Sequence, residues 1–389
     1  MATSLAENLV ALGHEVDVFC LERSAKHHEN QLYSVVPVIP RWKMYDEYPV
    51  VSFSMAAFRL LLTRHKARPY DVSHAMNFNN FGLTFYRREM TRLGLGHVST
   101  GFETTQMELA AKWREFLSSP SLHNFAQIAM EAWLAPWQVS YIGWGDVITT
   151  EDVETKSNFE KMGLRGSKIE LIPSGVELKE IKDFQLSGQL SGQNSLESGT
   201  KVLLCPGRVD PRKGSQYLLR AFAELKDDLN GWVLIFAGGG RGSYLDMMRA
   251  KAKELNLSDR VKFLGRVEDL KPHYLACDAV AIPSLSEGIP ITLQDALAFG
   301  KPIWCSKLKG THHWAKHLPS IRWCEAGDVS SWVNSLRKLS DWDKRDVSWE
   351  EEQCGEGQIW MDQYDWRGVA GAYAKAYERA KDLVSLKIQ

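Results

Sequence analysis

The chain has 389 residues, too many for one ordinary domain and enough for two of roughly 150 to 200 residues each. With 44% hydrophobic and 24% charged residues it has the make-up of a globular protein, which excludes a disordered or fibrous chain. A net charge of -1 gives no global attraction to polyanions, so no nucleic-acid partner is expected.

At the start, Leu5, Leu9 and Leu12 recur at helical spacing, Gly13 stops the run, and a strand is expected from Glu15 to Cys20. A doubly wound fold places a strand and a glycine-rich turn before such a helix, so the expectation is a chain shortened at its N-terminus. Met1 to Glu7 offers no basic start followed by an apolar block, so a cytoplasmic protein is expected. The six cysteines, Cys20, Cys205, Cys277, Cys305, Cys324 and Cys354, are scattered without C-x-x-C or zinc spacing. They read as small core residues of a reducing compartment, with no metal site.

Further along, "YDVSHAMN" (70–77), "GHVSTGF" (96–102), "GDVITT" (145–150) and "KIELIPSG" (168–175) are strand-like runs set between helical stretches. Alternation of this kind implies a parallel sheet. The apolar stretch 128–145 is broken by Glu131, Pro136 and Gln138 and reads as buried helix and loop rather than a membrane span. Of the 14 tryptophans, which include Trp113, Trp133, Trp137 and Trp144, most read as core, with sugar stacking as the alternative. The basic, partly apolar runs 59–70 and 86–92 admit a weak peripheral contact with anionic lipid at the inner face of a membrane, though solvated surface helices explain them as well.

Residues 185–200, polar and duplicated as QLSG-QLSG, read as a linker between an N-terminal domain of residues 1–184 and a C-terminal domain of residues 201–363. After it come the strand "KVLLCPGR", a helix, "GWVLIFAGGGRG", a second helix, "VKFLG", "AVAIPS" and the stretch "PSLSEGIPITLQDALAFGKPI". This is a βα succession of Rossmann type. Residues 364–389 form a last helix with Val369, Tyr373 and Tyr377 on one face.

Ligands of open α/β sheets sit beyond the carboxyl ends of strands, where helix N-termini offer free amides. "PGRVDPRKG" puts Arg208 and Lys213 at such an edge, and two cations beside a helix start suit a diphosphate. Solvated loop charges are the alternative. The glycines 238–240 are compatible with a phosphate loop or with a plain tight turn. In "SEGIP", Glu287 stands in the turn after a strand, and Asp295 lies about two helical turns further on, with Leu293, Ala296 and Leu297 forming a packing face that stops at Gly300.

Taken together and in order, "GRVDPRKG", "LIFAGGG", "VKFLGRV" and "CDAVAIPSLSEGIPITLQDALAFGKPI" resemble the donor-binding domain of family-4 retaining glycosyltransferases of GT-B fold (glycosyl transferases group 1). The resemblance covers residues 170–306 closely and, from Leu5 onward, more loosely. It implies two Rossmann-like domains facing each other across a cleft, with the last helix crossing back to the N-terminal domain. It also implies transfer of a sugar from a UDP- or GDP-linked donor to a carbohydrate, lipid-linked or small-molecule hydroxyl in polysaccharide, glycolipid or glycoside synthesis. No metal and no cofactor other than this donor substrate are implied.

By the same resemblance Arg208 and Lys213 neutralise the diphosphate, and Glu287 with the amides of Gly288, Ile289 and Ile291 holds the sugar. The turn Gly265–Arg266–Val267 passes the base, while Gly207, Gly239 and Thr292 complete the donor site. Asp295 grips the ribose, and it stands where the family usually has glutamate. Ser174 replaces the usual asparagine, and Phe102 or Gly101 stands where the family usually has histidine. On the acceptor side the residues to examine are His74 and Glu103. The competing expectations are a non-catalytic nucleotide-sugar-binding or scaffold protein of the same fold, and a GT-B nucleotide-sugar epimerase.

Overall fold

The computed structural model describes residues 1–21, 32–40, 50–102, 122–187, 199–240, 243–344 and 347–388, together with 109, 113 and 116. The chain divides into two compact units: Met1–Gln106, Met130–Gly175 and Tyr364–Gln389 make the first, and Met107–Ala129 with Val176–Gln363 the second. Of the linker expected at 185–200, residues 185–187 end the helix Leu178–Ser187, and 188–198 lie outside the described residues.

The first unit contains the helix Ala2–Ala11, a two-stranded parallel sheet of β1 (Asp17–Leu21) and β2 (Ser34–Val38), and a four-stranded parallel sheet. The latter runs β3 (Val72–Met76), β4 (Gly96–Thr100), β5 (Val147–Thr150), β6 (Ile169–Leu171) in sequence order. Both β4 and β5 are buried along their whole length, as central strands of a parallel sheet must be. Helix Trp366–Ser385 packs on β4, with Val369, Ala370, Tyr373, Ala376 and Ala380 buried against Val98 and Val147. Gly96 at the start of β4 allows the close approach, since a Cβ there would stand 3.0 Å from the carbonyl oxygen of Ala380.

In the second unit six parallel strands lie in the order β12-β11-β10-β7-β8-β9. Strands β7 (Lys201–Pro206), β8 (Trp232–Ala237) and β9 (Val261–Gly265) step outward in one direction. The chain then returns to lay β10 (Ala279–Ile282) on the other side of β7, followed by β11 (Ile303–Ser306) and β12 (Ile321–Cys324). The unbroken apolar runs of β7, β8 and β10 are buried on both faces. Helix Ser215–Glu224 sinks Leu218, Leu219 and Phe222 into the same core. The order reverses between β7 and β10, and in an open α/β sheet that reversal leaves a crevice at the carboxyl ends of the two strands.

Two expectations about apolar residues hold only in part: Trp232, Trp304, Trp332 and Trp366 are core, but four other tryptophans are not. Trp113, Trp133, Trp137 and Trp144 are exposed rather than core, at 48%, 60%, 45% and 41%. Trp133 and Trp137 lie with exposed Phe125 on the helix Leu122–Gly143, four or eight residues apart, so one helical face carries them outward. Among its described side chains the helix is therefore buried only toward its C-terminal end, at Gln138, Tyr141 and Ile142. Among the described residues no helix is long and apolar enough to cross a membrane.

Candidate functional site

The site is assembled by three turns that follow β7, β8 and β10. After β7 the backbone passes through Gly207 at φ 110° and then pairs with the β8 turn, Val209 N–H donating to the carbonyl of Gly239 at 2.9 Å. Asp210 caps the short turn Pro211–Lys213, its carboxylate accepting from the Lys213 amide at 3.0 Å. A cap of this kind contributes about 1 kcal/mol, and here it fixes the stem of Lys213. Gly214 follows at φ 68°, and a Cβ there would overlap the carbonyl oxygen of Pro283, just past β10. The amide of Leu285 donates to the carbonyl of Arg212 at 2.8 Å, so the turns after β7 and β10 hold each other directly.

That mutual hold brings the expected residues together. The Lys213 ammonium is hydrogen-bonded to Glu287 Oε1, with the side chains only 22% and 11% exposed. Ser284 donates to the same oxygen at 3.2 Å. Arg208 is more open, 45% exposed, with Asp210 at 3.5 Å. The turn carrying Glu287 is pinned from below, because Thr311 donates to the Gly288 carbonyl at 2.6 Å. Gly288 and Ile289 are buried, so Ile289 serves the core with its side chain and can reach a ligand only through its backbone.

Helix Ile291–Ala298 starts after Pro290 without a side-chain cap, which leaves its first-turn amides at Ile291 and Thr292 for another partner. Tyr274, stacked on Phe299 with centroids 5.3 Å apart, donates to the Thr292 carbonyl at 3.1 Å and fixes that start. Asp295 lies one turn in. Burial pushes its carboxyl up to about 7, only partly opposed by the Lys271 ammonium. A carboxyl poised at that value can accept from a hydroxyl when ionised and donate when protonated.

On the other side of β7, Gly239 has space around it, the nearest atoms to a Cβ there belonging to Arg266 at 3.7 to 3.9 Å. Gly265 turns at φ 74°, and Arg266 is exposed while Val267 is half-buried. Thus Gly207, Arg208, Lys213, Gly239, Gly265, Glu287 and the start of helix Ile291–Ala298 all occupy the carboxyl edge of one sheet. Sequence reasoning did not single out Asp210, Ser284, Tyr274 or Thr311. The Asp-Pro pair at 210–211 is a turn-start signal that could have found the first; the others have no local signal.

In the first unit His74 stands at the end of β3 with both ring nitrogens engaged, Nδ1 with the Tyr377 hydroxyl at 2.9 Å and Nε2 with Thr100 Oγ1 at 2.6 Å. It keeps a little accessible surface, yet the protein packed around the ring, Tyr373 included, holds its pKa down to about 4. The ring is thus neutral and bridges β3, β4 and the last helix. Ser174 is buried and donates to Glu151. Glu103 lies outside the described residues. Of the basic runs, Arg64, Lys66 and Arg68 are paired with Asp17, Glu89 and Glu15, and Arg87 with Asp146.

Two cations, a carboxylate and an uncapped helix start thus gather at the strand-order reversal, the arrangement expected of a diphosphate-binding edge. The chain matches the family "Glycosyltransferase Family 4" over residues 1–180 and "Glycosyl transferases group 1" over residues 189–353. An uncharacterized glycosyltransferase of Methanocaldococcus jannaschii is 25% identical over 395 residues, 98% of this chain and 93% of that one. D-inositol 3-phosphate glycosyltransferase of Mycolicibacterium smegmatis is 27% identical over 242 residues, 60% of this chain and 52% of its own.

Among solved structures, sucrose-phosphate synthase from Thermosynechococcus elongatus superimposes with TM-score 0.72 at 17% identity, covering 96% of this chain and 91% of that one. Anabaena HepE in complex with UDP gives 0.68 at 16% identity, covering 97% and 96%. The chain is a family-4-like glycosyltransferase of GT-B fold, built from two Rossmann-like domains.

Proposed function

We propose that this glycosyltransferase moves a sugar from a nucleoside-diphosphate sugar to an acceptor hydroxyl with retention at the anomeric carbon, without a metal ion. The observation that carries the reading is the meeting of Lys213, Arg208 and Glu287 at the β7/β10 edge. As the bond from the anomeric carbon to the phosphate oxygen breaks, negative charge grows on the diphosphate. Arg208 and Lys213 lie where fixed cations stabilise that charge in place of Mg²⁺. The acceptor oxygen bonds to the anomeric carbon, and its proton passes to the departing phosphate oxygen, so no protein nucleophile is needed.

Glu287 and the amides of Gly288, Ile289 and Ile291 hold the sugar, Asp295 the ribose, and Gly265 to Val267 border the base. UDP or GDP is the expected carrier: HepE is solved with UDP-glucose, and a mycobacterial relative, 28% identical over 182 residues, is named a GDP-mannose-dependent mannosyltransferase. The acceptor is a carbohydrate, lipid-linked or small-molecule hydroxyl in polysaccharide, glycolipid or glycoside synthesis. Contact with a membrane at its cytoplasmic face would rest on exposed Arg59, Arg88 and Arg92, since the neighbouring cations are already paired.

The test is donor turnover. The chain is incubated with UDP- and GDP-sugars and candidate acceptors in the presence of chelator, while released nucleotide and the anomeric configuration of the product are followed. Release with retention supports the reading. Binding of a donor with no release on any acceptor moves it to a non-catalytic nucleotide-sugar-binding protein.

A further inference from the structure

The Lys213–Glu287 pair joins two groups that the proposed reaction uses at opposite ends of the donor, Lys213 on the diphosphate and Glu287 on the sugar. Glu287 Oε1 takes both the Lys213 ammonium and the Ser284 hydroxyl. Its Oε2 takes no hydrogen bond from any described residue, and the Lys213 ammonium has no other partner among them. Largely shielded from solvent as it is, such a pair is worth more than an exposed one.

The backbone on each side is tied in place. Asp210 caps the Lys213 amide, Leu285 donates to Arg212, and Gly214 touches Pro283. The pair therefore cannot loosen by the turns drifting apart; it opens only when a side chain rotates away. A group that bids for the ammonium must displace a carboxylate, and the carboxylate so released needs a new donor.

We propose that Lys213 and Glu287 form a clasp that couples recognition of the two ends of the donor: the diphosphate draws the ammonium off Glu287, and the freed carboxylate then accepts the hydroxyls of the sugar. The proposal rests on the donor-site reading above. Ser284 is the positioning residue, because it keeps its bond to Oε1 and holds the carboxylate in place once Lys213 has left. A nucleoside diphosphate without sugar opens the clasp and strands Glu287, whereas the complete donor supplies hydroxyls that satisfy it. Sugar and diphosphate thus bind with positive coupling, and by reciprocity each strengthens the other.

The test is calorimetric titration of the full chain with uridine, UDP and UDP-glucose, and with guanosine, GDP and GDP-mannose, using whichever series the native chain binds. The proteins are the native chain, Glu287→Gln, Lys213→Met and the double variant. Glu287→Gln should tighten the nucleoside diphosphate by about threefold to tenfold, leave the nucleoside unchanged and weaken the nucleotide sugar. In the Lys213→Met background the gain for the diphosphate should vanish, because no ammonium is left to release.

If Glu287→Gln leaves diphosphate affinity unchanged, or raises it equally without Lys213, the clasp is overturned while the donor site stands. The second result would mean plain repulsion between carboxylate and phosphate. Failure of the native chain to bind any diphosphate would remove the donor-site reading itself. Glu287→Asp, which withdraws the carboxylate by one methylene, provides a second uncoupling variant if the first does not fold.

Discussion

Gly238 and Gly207 touch backbone to backbone at the carboxyl ends of β7 and β8: a Cβ on Gly238 would overlap the carbonyl oxygen of Gly207. The turns after β7 and β8 can close on each other only because residue 238 has no side chain. Gly238→Ala should therefore push the two turns apart and cost a few kcal/mol, like other backbone clashes in a tight core. Gly239→Ala, with its nearest neighbours at 3.7 Å or more, should melt within a degree or two of the native chain. Equal melting temperatures for the two variants would show that the contact is not needed.

Lys213→Ala should lower donor turnover by about a hundredfold or more while leaving the protein folded, since fixed cations of this kind contribute several kcal/mol to stabilising a leaving diphosphate. Arg208→Ala should act in the same direction. Turnover retained in both would sink the diphosphate assignment.

Asp295 gives a pH dependence. With its carboxyl pushed up to about 7, only the ionised form accepts from both ribose hydroxyls, so nucleotide affinity should rise by up to about tenfold from pH 6 to 8. Asp295→Asn should flatten that rise. Stability of the unliganded protein runs the other way: between the ordinary carboxyl value of 3.8 and about 7 the folded state keeps a proton that the unfolded state has lost. Its stability therefore falls as pH rises through that window. Asp295→Glu should preserve or tighten nucleotide binding, and a large loss would show that the ribose role is misassigned.

His74 predicts the opposite slope. Its pKa is held down to about 4 from 6.5, so below pH 6.5 the unfolded chain takes up a proton that the folded ring refuses. Stability should decline from pH 6.5 toward 4, by on the order of 3 kcal/mol from this group. Denaturant titrations at stepped pH would read it, and His74→Gln should remove this part of the slope.

Asp146 is wholly buried, accepting from the His97 amide at 2.9 Å, from Arg87 at 2.5 Å and from Lys387 at 2.6 Å. Asp146→Asn should cost about 3 kcal/mol, because Arg87, 12% exposed, would be left facing an uncharged group, whereas Lys387, 45% exposed, can turn to solvent. A loss under 1 kcal/mol in urea unfolding would mean that the cations relax into solvent.

The donor half was legible because its chemistry is local in sequence. Apolar runs of four to six residues made β7, β8 and β10, and the turns behind them carried Arg208, Lys213 and Glu287 in a fixed order. Three strands were not placed: β2 contains Pro37, β12 is interrupted by Arg322, and β11 follows directly on the Lys301-Pro302 pair read as a helix stop. The exposed tryptophans were misjudged because hydrophobicity says that a side chain gains from burial, while only neighbouring elements decide whether it gets any.

Sequence by itself determined the strands β7, β8, β9 and β10 that carry the site and which charges follow them, since these depend on propensity and spacing within a few residues. Tertiary structure alone decided that β10 returns to the side of β7, so that residues 213 and 287 share one proton-bridged contact across 74 positions of chain. It also decided that His74 is occupied by Tyr377 and Thr100. The physical reason is the same in each case: an ion pair or a hydrogen bond depends on distance in space, and strand order, which no local pattern encodes, sets that distance.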